Sequence, residues 1–87
     1  MTRWQVELKH RPEKILHSLP ADVRRRVAAE LDALVDDPRH PGCEKLRGHD
    51  LYKVRVGDWQ IVYTLEDDRL IVLVLGIEPR GRACRGL

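Results

Sequence analysis

Residues Leu51–Tyr63 read LYKVRVGDWQIVY. Gly57-Asp58 is a turn dipeptide between two runs rich in β-branched and aromatic residues, so the stretch predicts two strands joined by a tight turn. Side chains alternate along a strand, which puts Val54 and Val56 on one face and Lys53 and Arg55 on the other. Cations held on a rigid sheet can grip a phosphodiester. A solvated sheet face carries the same pattern, so spacing alone leaves both readings open.

Working outward from the hairpin, Glu66-Asp67-Asp68 is a second turn. Leu70-Ile-Val-Leu-Val-Leu75 follows it, apolar at every position, as in a strand buried on both faces and central in its sheet. Gly76 marks its end or a bulge. Upstream, Pro38–His49 reads as loop. Before that, Val23, Val27, Leu31, Leu34 and Val35 recur at helical spacing, and the helix they define starts near Pro20 and Asp22 and stops before Pro38. A shorter helix opens at His10-Arg-Pro-Glu, with Pro12 in its first turn, and buries Ile15, Leu16 and Leu19. At the start of the chain Trp4, Val6 and Leu8 alternate with Gln5, Glu7 and Lys9, which predicts a half-buried strand. The order is β-α-α-β-β-β. The expected fold is α+β: an antiparallel sheet covered on one face by a helical hairpin, the other face partly open to water.

The chain of 87 residues fits a single domain, residues 1–87. No run approaches the ~20 apolar residues that cross a bilayer, and the first residues lack the apolar stretch of a signal peptide. A cytoplasmic protein with no membrane partner is expected. The two cysteines, Cys43 and Cys84, fall in expected loops without ligands at metal spacing, so neither a metal nor another cofactor is expected. A net charge of +2 does not by itself argue for nucleic acid, but its distribution is uneven. Lys45, Arg47, Lys53 and Arg55 precede the turn, and Arg80, Arg82 and Arg85 fill a tail that lacks acids after Glu78. Brought together, they would make a positive surface that the total hides. Arg24-Arg25-Arg26 lies on the polar side of its helix and reads as a solvated face or a contact to RNA. His40 and His49 read as solvated loop residues.

The segments LPADVRRRVAAELDALVDDPRHPG, KLRG and LYKVRVGDWQIVY, followed by an acidic turn, an apolar strand and an arginine-bearing tail, resemble the RelE/ParE superfamily of bacterial type II toxins, closer to the RelE-type mRNA interferases. The likeness runs over nearly the whole chain. It implies a toxin that enters the ribosomal A site and cuts mRNA without a metal, restrained by a cognate antitoxin. Lys53 and Arg55 match the family's basic positions on the strand before the turn, and Arg80 matches its arginine after the last strand. Gln60 stands where the family has an arginine, and Cys84 where RelE-type members have an aromatic residue. Gln60 donates hydrogen bonds but cannot neutralise a phosphate.

The resemblance makes Lys53, Arg55 and Arg80 the candidate catalytic residues. Lys45, Arg47, Gln60, Arg82, Cys84 and Arg85 are the candidate RNA contacts. Metal-free cleavage needs a base for the 2′-hydroxyl, cations for the phosphoryl oxygens and an acid for the leaving oxygen. Lys53 is the candidate base, made neutral by a crowd of cations that includes Lys45. Arg80 is the transition-state clamp and Arg55 a backbone contact; the acid is unassigned. Two alternatives follow from the departures at Gln60 and Cys84. One is a ParE-like toxin that inhibits DNA gyrase by binding, the other a degraded toxin that binds only its antitoxin. No helix reads as a sequence-specific DNA reader, so contact with operator DNA is expected through the antitoxin.

Overall fold

The computed structural model describes residues 3–46, 48 and 50–79. Its elements are β1 (Gln5–Leu8), α1 (His10–Ser18), α2 (Ala21–Asp36), β2 (Cys43–Lys45), β3 (Tyr52–Val56), β4 (Trp59–Glu66) and β5 (Ile71–Pro79). The strands form one sheet in the order β1-β5-β4-β3-β2. The α+β class and the helical hairpin over one face agree with the sequence reading.

The core lies between that hairpin and the sheet. Val27, Leu31 and Leu34 of α2 recur at three- and four-residue steps, and all three are buried against Val54, Val56, Ile61, Tyr63, Val72, Val74 and Ile77. Helix α1 packs on β5, while α2 reaches β1 and β3. At nine residues α1 is too short to persist alone, so this packing holds it.

Four features differ from the expectation. The sheet is mixed, because β1 runs parallel to β5, Gln5 facing Ile71 and Leu8 facing Val74. The helical hairpin and the later strands together supply the long crossover that a parallel pair needs. The expected loop before His49 contains β2, and Cys43 therefore lies on a strand. Cys-Glu-Lys shows little hydrophobic alternation, and its strand character comes from pairing with β3. Leu70 belongs to the turn, at φ 56°, so β5 begins at Ile71 and runs on to Pro79. Finally, β5 is interior but not buried on both faces: Leu73 is half-buried and Leu75 is 36% exposed.

The last difference has a geometric cause. Val62 pairs with Gly76, but the next residue, Tyr63, pairs with Val74, leaving Leu75 as the extra residue of a β-bulge. The bulge resets the alternation of β5. Val72 and Val74 face the helices before it, and Ile77 faces them after it, opposite Ile61. Gly76 and Glu78 are thereby turned to the face opposite the helices.

The β3–β4 turn is the two-residue Gly57-Asp58 connection, closed by the pair Val56 and Trp59. Gly57 has φ 60°, and a positive φ at the first central position is the type II′ arrangement that suits strand twist.

Candidate nucleic-acid interface on the open sheet face

The alternation along β3 is as expected: Val54 and Val56 are buried, Arg55 is exposed and Lys53 half-buried. Cross-strand pairing arranges the uncovered face in rows. Arg55, Gln60 and Glu78 form one row across β3, β4 and β5. Glu44, Lys53, Val62 and Gly76 form the next, extending onto β2. Tyr63 and Trp59 belong to the opposite face from Gln60, as alternation requires. Gln60 is 8% exposed and lies at the bottom of that face.

Two observations change the electrostatics expected for Lys53. Its Nζ lies 3.9 Å from Glu44 Oε2, and its nearest charged neighbour on β2 is therefore an acid. Lys45 pairs with Tyr52, on the helix side of the sheet, and does not join Lys53 and Arg55. The crowd of cations that would turn Lys53 into a base is not assembled from Lys45. Arg47, Arg80, Arg82, Cys84 and Arg85 lie outside the described residues, as does His49.

Arg26 is exposed, as expected for its triplet, and its side chain also reaches the hairpin turn. Its guanidinium covers the hairpin turn, with Nη2 3.0 Å from where a Cβ on Gly57 would stand. Arg24 and Arg25 are exposed.

A second polar cluster lies at the end of the sheet remote from that turn. Arg39 donates to both carboxylate oxygens of Asp67, at 3.0 and 3.1 Å, and its Nε donates to Tyr52 Oη at 3.2 Å. Its guanidinium lies 5.6 Å from the Tyr52 ring centre and 6.0 Å from that of Trp4. Tyr52 stacks in turn on Tyr63, whose hydroxyl donates to the Pro38 carbonyl at 2.7 Å. The Arg39 hydrogen bonds hold the Asp67 carboxyl below the usual carboxylate range. Burial is the main reason the Tyr63 phenol is pushed far above its ordinary value, and burial likewise raises the Cys43 thiol beside it. Neither group is an activated nucleophile or acid.

His40 is not a solvated loop residue. Its Nδ1 accepts from the Gly42 N–H at 3.0 Å, so Nε2 carries the proton and donates to Glu30 Oε1 at 3.1 Å. The loop after α2 is thus fixed to α2 by His40, to the β4–β5 turn by Arg39 and to the core by Tyr63. Sequence reading missed Arg39, whose partners are remote in the chain. It also missed the two acids on the open face, which depend on pairing with β2 and on the bulge.

A helical hairpin on one face of a five-stranded mixed sheet matches the fold of solved RelE toxins. Residues 4–84 match the model for the ParE toxin of the type II toxin–antitoxin system parDE, and the chain belongs to that family. A RelE-like toxin protein of Escherichia coli is 31% identical over 93% of this chain and 87% of its own. The structure of the archaeal RelE–RelB complex from Pyrococcus horikoshii contains a chain 33% identical, with a TM-score of 0.81 over 94% of this chain and 99% of that one. The intact RelBE toxin–antitoxin complex of E. coli contains another, 25% identical with a TM-score of 0.78, over 87% and 95% of the two chains.

Proposed function

We propose that this type II toxin is a ribosome-dependent mRNA endonuclease that works without a metal and stops translation. The observation that carries this reading is the pair Lys53 and Arg55, fixed by β3 on the face opposite the helical hairpin. A sheet holds its side chains at set spacing, which suits it to gripping a phosphodiester in one geometry. Arg55 contacts the backbone of the RNA. Arg80 supplies the bidentate fork that stabilises charge on the phosphoryl oxygens. Lys53 completes the cationic set. Loss of a clamp of this kind costs about 2.7–4 kcal/mol of barrier, roughly a hundred- to a thousandfold in rate.

The partner that restrains the toxin is a cognate antitoxin, as RelB partners RelE in the similar complexes from P. horikoshii and E. coli. A disordered segment that folds on binding fits the surfaces on offer, the two sheet edges β1 and β2 and the exposed Leu75. The site of action is the cytoplasm.

Primer extension on an mRNA in a reconstituted translation reaction tests the nuclease reading. Cuts that require ribosomes, lost in Arg80→Ala and in Lys53→Ala, are the expected result. The family match to ParE and the uncharged Gln60 favour a second reading, inhibition of DNA gyrase by binding. Intact mRNA together with blocked gyrase supercoiling would establish that reading instead. Intact mRNA with normal supercoiling would leave a toxin that binds only its antitoxin.

A further inference from the structure

Metal-free cleavage needs a proton acceptor, and the charged group that faces Lys53 on β2 is the Glu44 carboxylate, at 3.9 Å. The uncovered face offers another group. Glu78 pairs with Gln60 in the row that begins at Arg55, and the carboxylate does not stay in that row. It leans back along β5, where Oε1 comes within 3.1 Å of the place a Cβ on Gly76 would take. Only a residue without a side chain leaves that space. Gly76 heads the row that runs through Val62 to Lys53, so carboxylate and ammonium approach one row from its two ends. Two strand spacings, about 10 Å, separate the backbones there, a span that a phosphodiester with its two flanking sugars fills.

The bulge gives the arrangement its direction. With unbroken alternation after Val72 and Val74, Gly76 and Glu78 would both face the helices. The extra residue Leu75 turns them out. Bulges re-aim side chains beside active sites, and this one delivers an acid to a cationic face.

We infer that Glu78 is the general base of the cut, in a cradle made by Gly76 and the Leu75 bulge. This role rests on the nuclease reading above. The Glu78 carboxylate takes the proton of the 2′-hydroxyl, and the freed oxygen attacks the adjacent phosphorus. The bond from phosphorus to the 5′-oxygen breaks, its electron pair stays on that oxygen, and the Lys53 ammonium protonates it. The products are a 2′,3′-cyclic phosphate and a 5′-hydroxyl. Solvent takes the proton from Glu78 and returns one to Lys53, so the enzyme is unchanged.

Single-turnover cleavage of ribosome-bound mRNA by the wild type, Glu78→Gln, Glu78→Asp and Gly76→Ala tests the role, with urea unfolding of each protein alongside. Glu78→Gln keeps the shape and loses the base. Its rate at saturating toxin should fall roughly a hundredfold or more, while the half-saturating concentration and the unfolding midpoint hold. Glu78→Asp should recover part of the rate. Gly76→Ala should slow the cut with Glu78 still present, because the added methyl displaces the carboxylate. Glu78→Gln cutting at the wild-type rate overturns the role. Should Glu78→Gln fail to fold, Gly76→Ala decides, and a wild-type rate there overturns it equally. A wild type that makes no cut overturns the nuclease reading and this role together.

Discussion

Tyr63 joins three parts of the molecule. Its ring is fully buried in the core, it stacks on Tyr52, and its hydroxyl satisfies the Pro38 carbonyl just past α2. Tyr63→Phe removes the donor and leaves that carbonyl unpaired, which should cost about 1–2 kcal/mol in urea unfolding. Burial also keeps the phenol neutral, so an absorbance titration should find Tyr63 still protonated where an ordinary tyrosine has ionised. Asp67 acts in the acid range instead. Its folded carboxyl titrates below its unfolded value, so its contribution is complete above the ordinary carboxylate range and is lost as pH falls through the folded value. Stability of Asp67→Asn should therefore fall less steeply in acid than that of the wild type. The pair is exposed, and its share of the whole is modest.

Among the elements, the β3–β4 hairpin was the most legible. Gly57-Asp58 marks the turn and the alternation of Lys53, Val54, Arg55 and Val56 assigns the faces, both through neighbours in sequence. Gly57→Ala tests the turn: a side chain at φ 60° that also meets the Arg26 guanidinium should lower stability by about 1–2 kcal/mol. Other elements were hidden because their causes are not local. Cys43–Lys45 becomes a strand through its pairing with β3. The parallel β1–β5 pair depends on where two distant segments meet. The run Leu70–Leu75 hides its bulge, because an apolar stretch looks the same whether or not one residue is skipped in pairing. The placement of the candidate site residues was legible to the same extent. Lys53 and Arg55 follow from alternation, whereas Lys45 falls on the other face, and Glu44 and Glu78 enter through pairing partners that no periodicity announces.

At the scale of the whole molecule the sheet separates two tasks. Its helix side carries the core, and Leu34→Ala there should cost about 2–5 kcal/mol through the cavity it leaves. Its other side, opposite the hairpin, carries Lys53 and Arg55. Helix α2 exposes Arg24 and Arg25 on a different surface, so positive charge alone does not distinguish the two. Ribosome-dependent mRNA cleavage should be compared between Lys53→Ala/Arg55→Ala and Arg24→Ala/Arg25→Ala, at toxin concentrations that saturate the wild type. Loss of cutting in the first pair, with near wild-type cutting in the second, is the predicted result. Cutting that survives loss of Lys53 and Arg55, or disappears with the helix arginines, would contradict the open sheet face as the place where this toxin works.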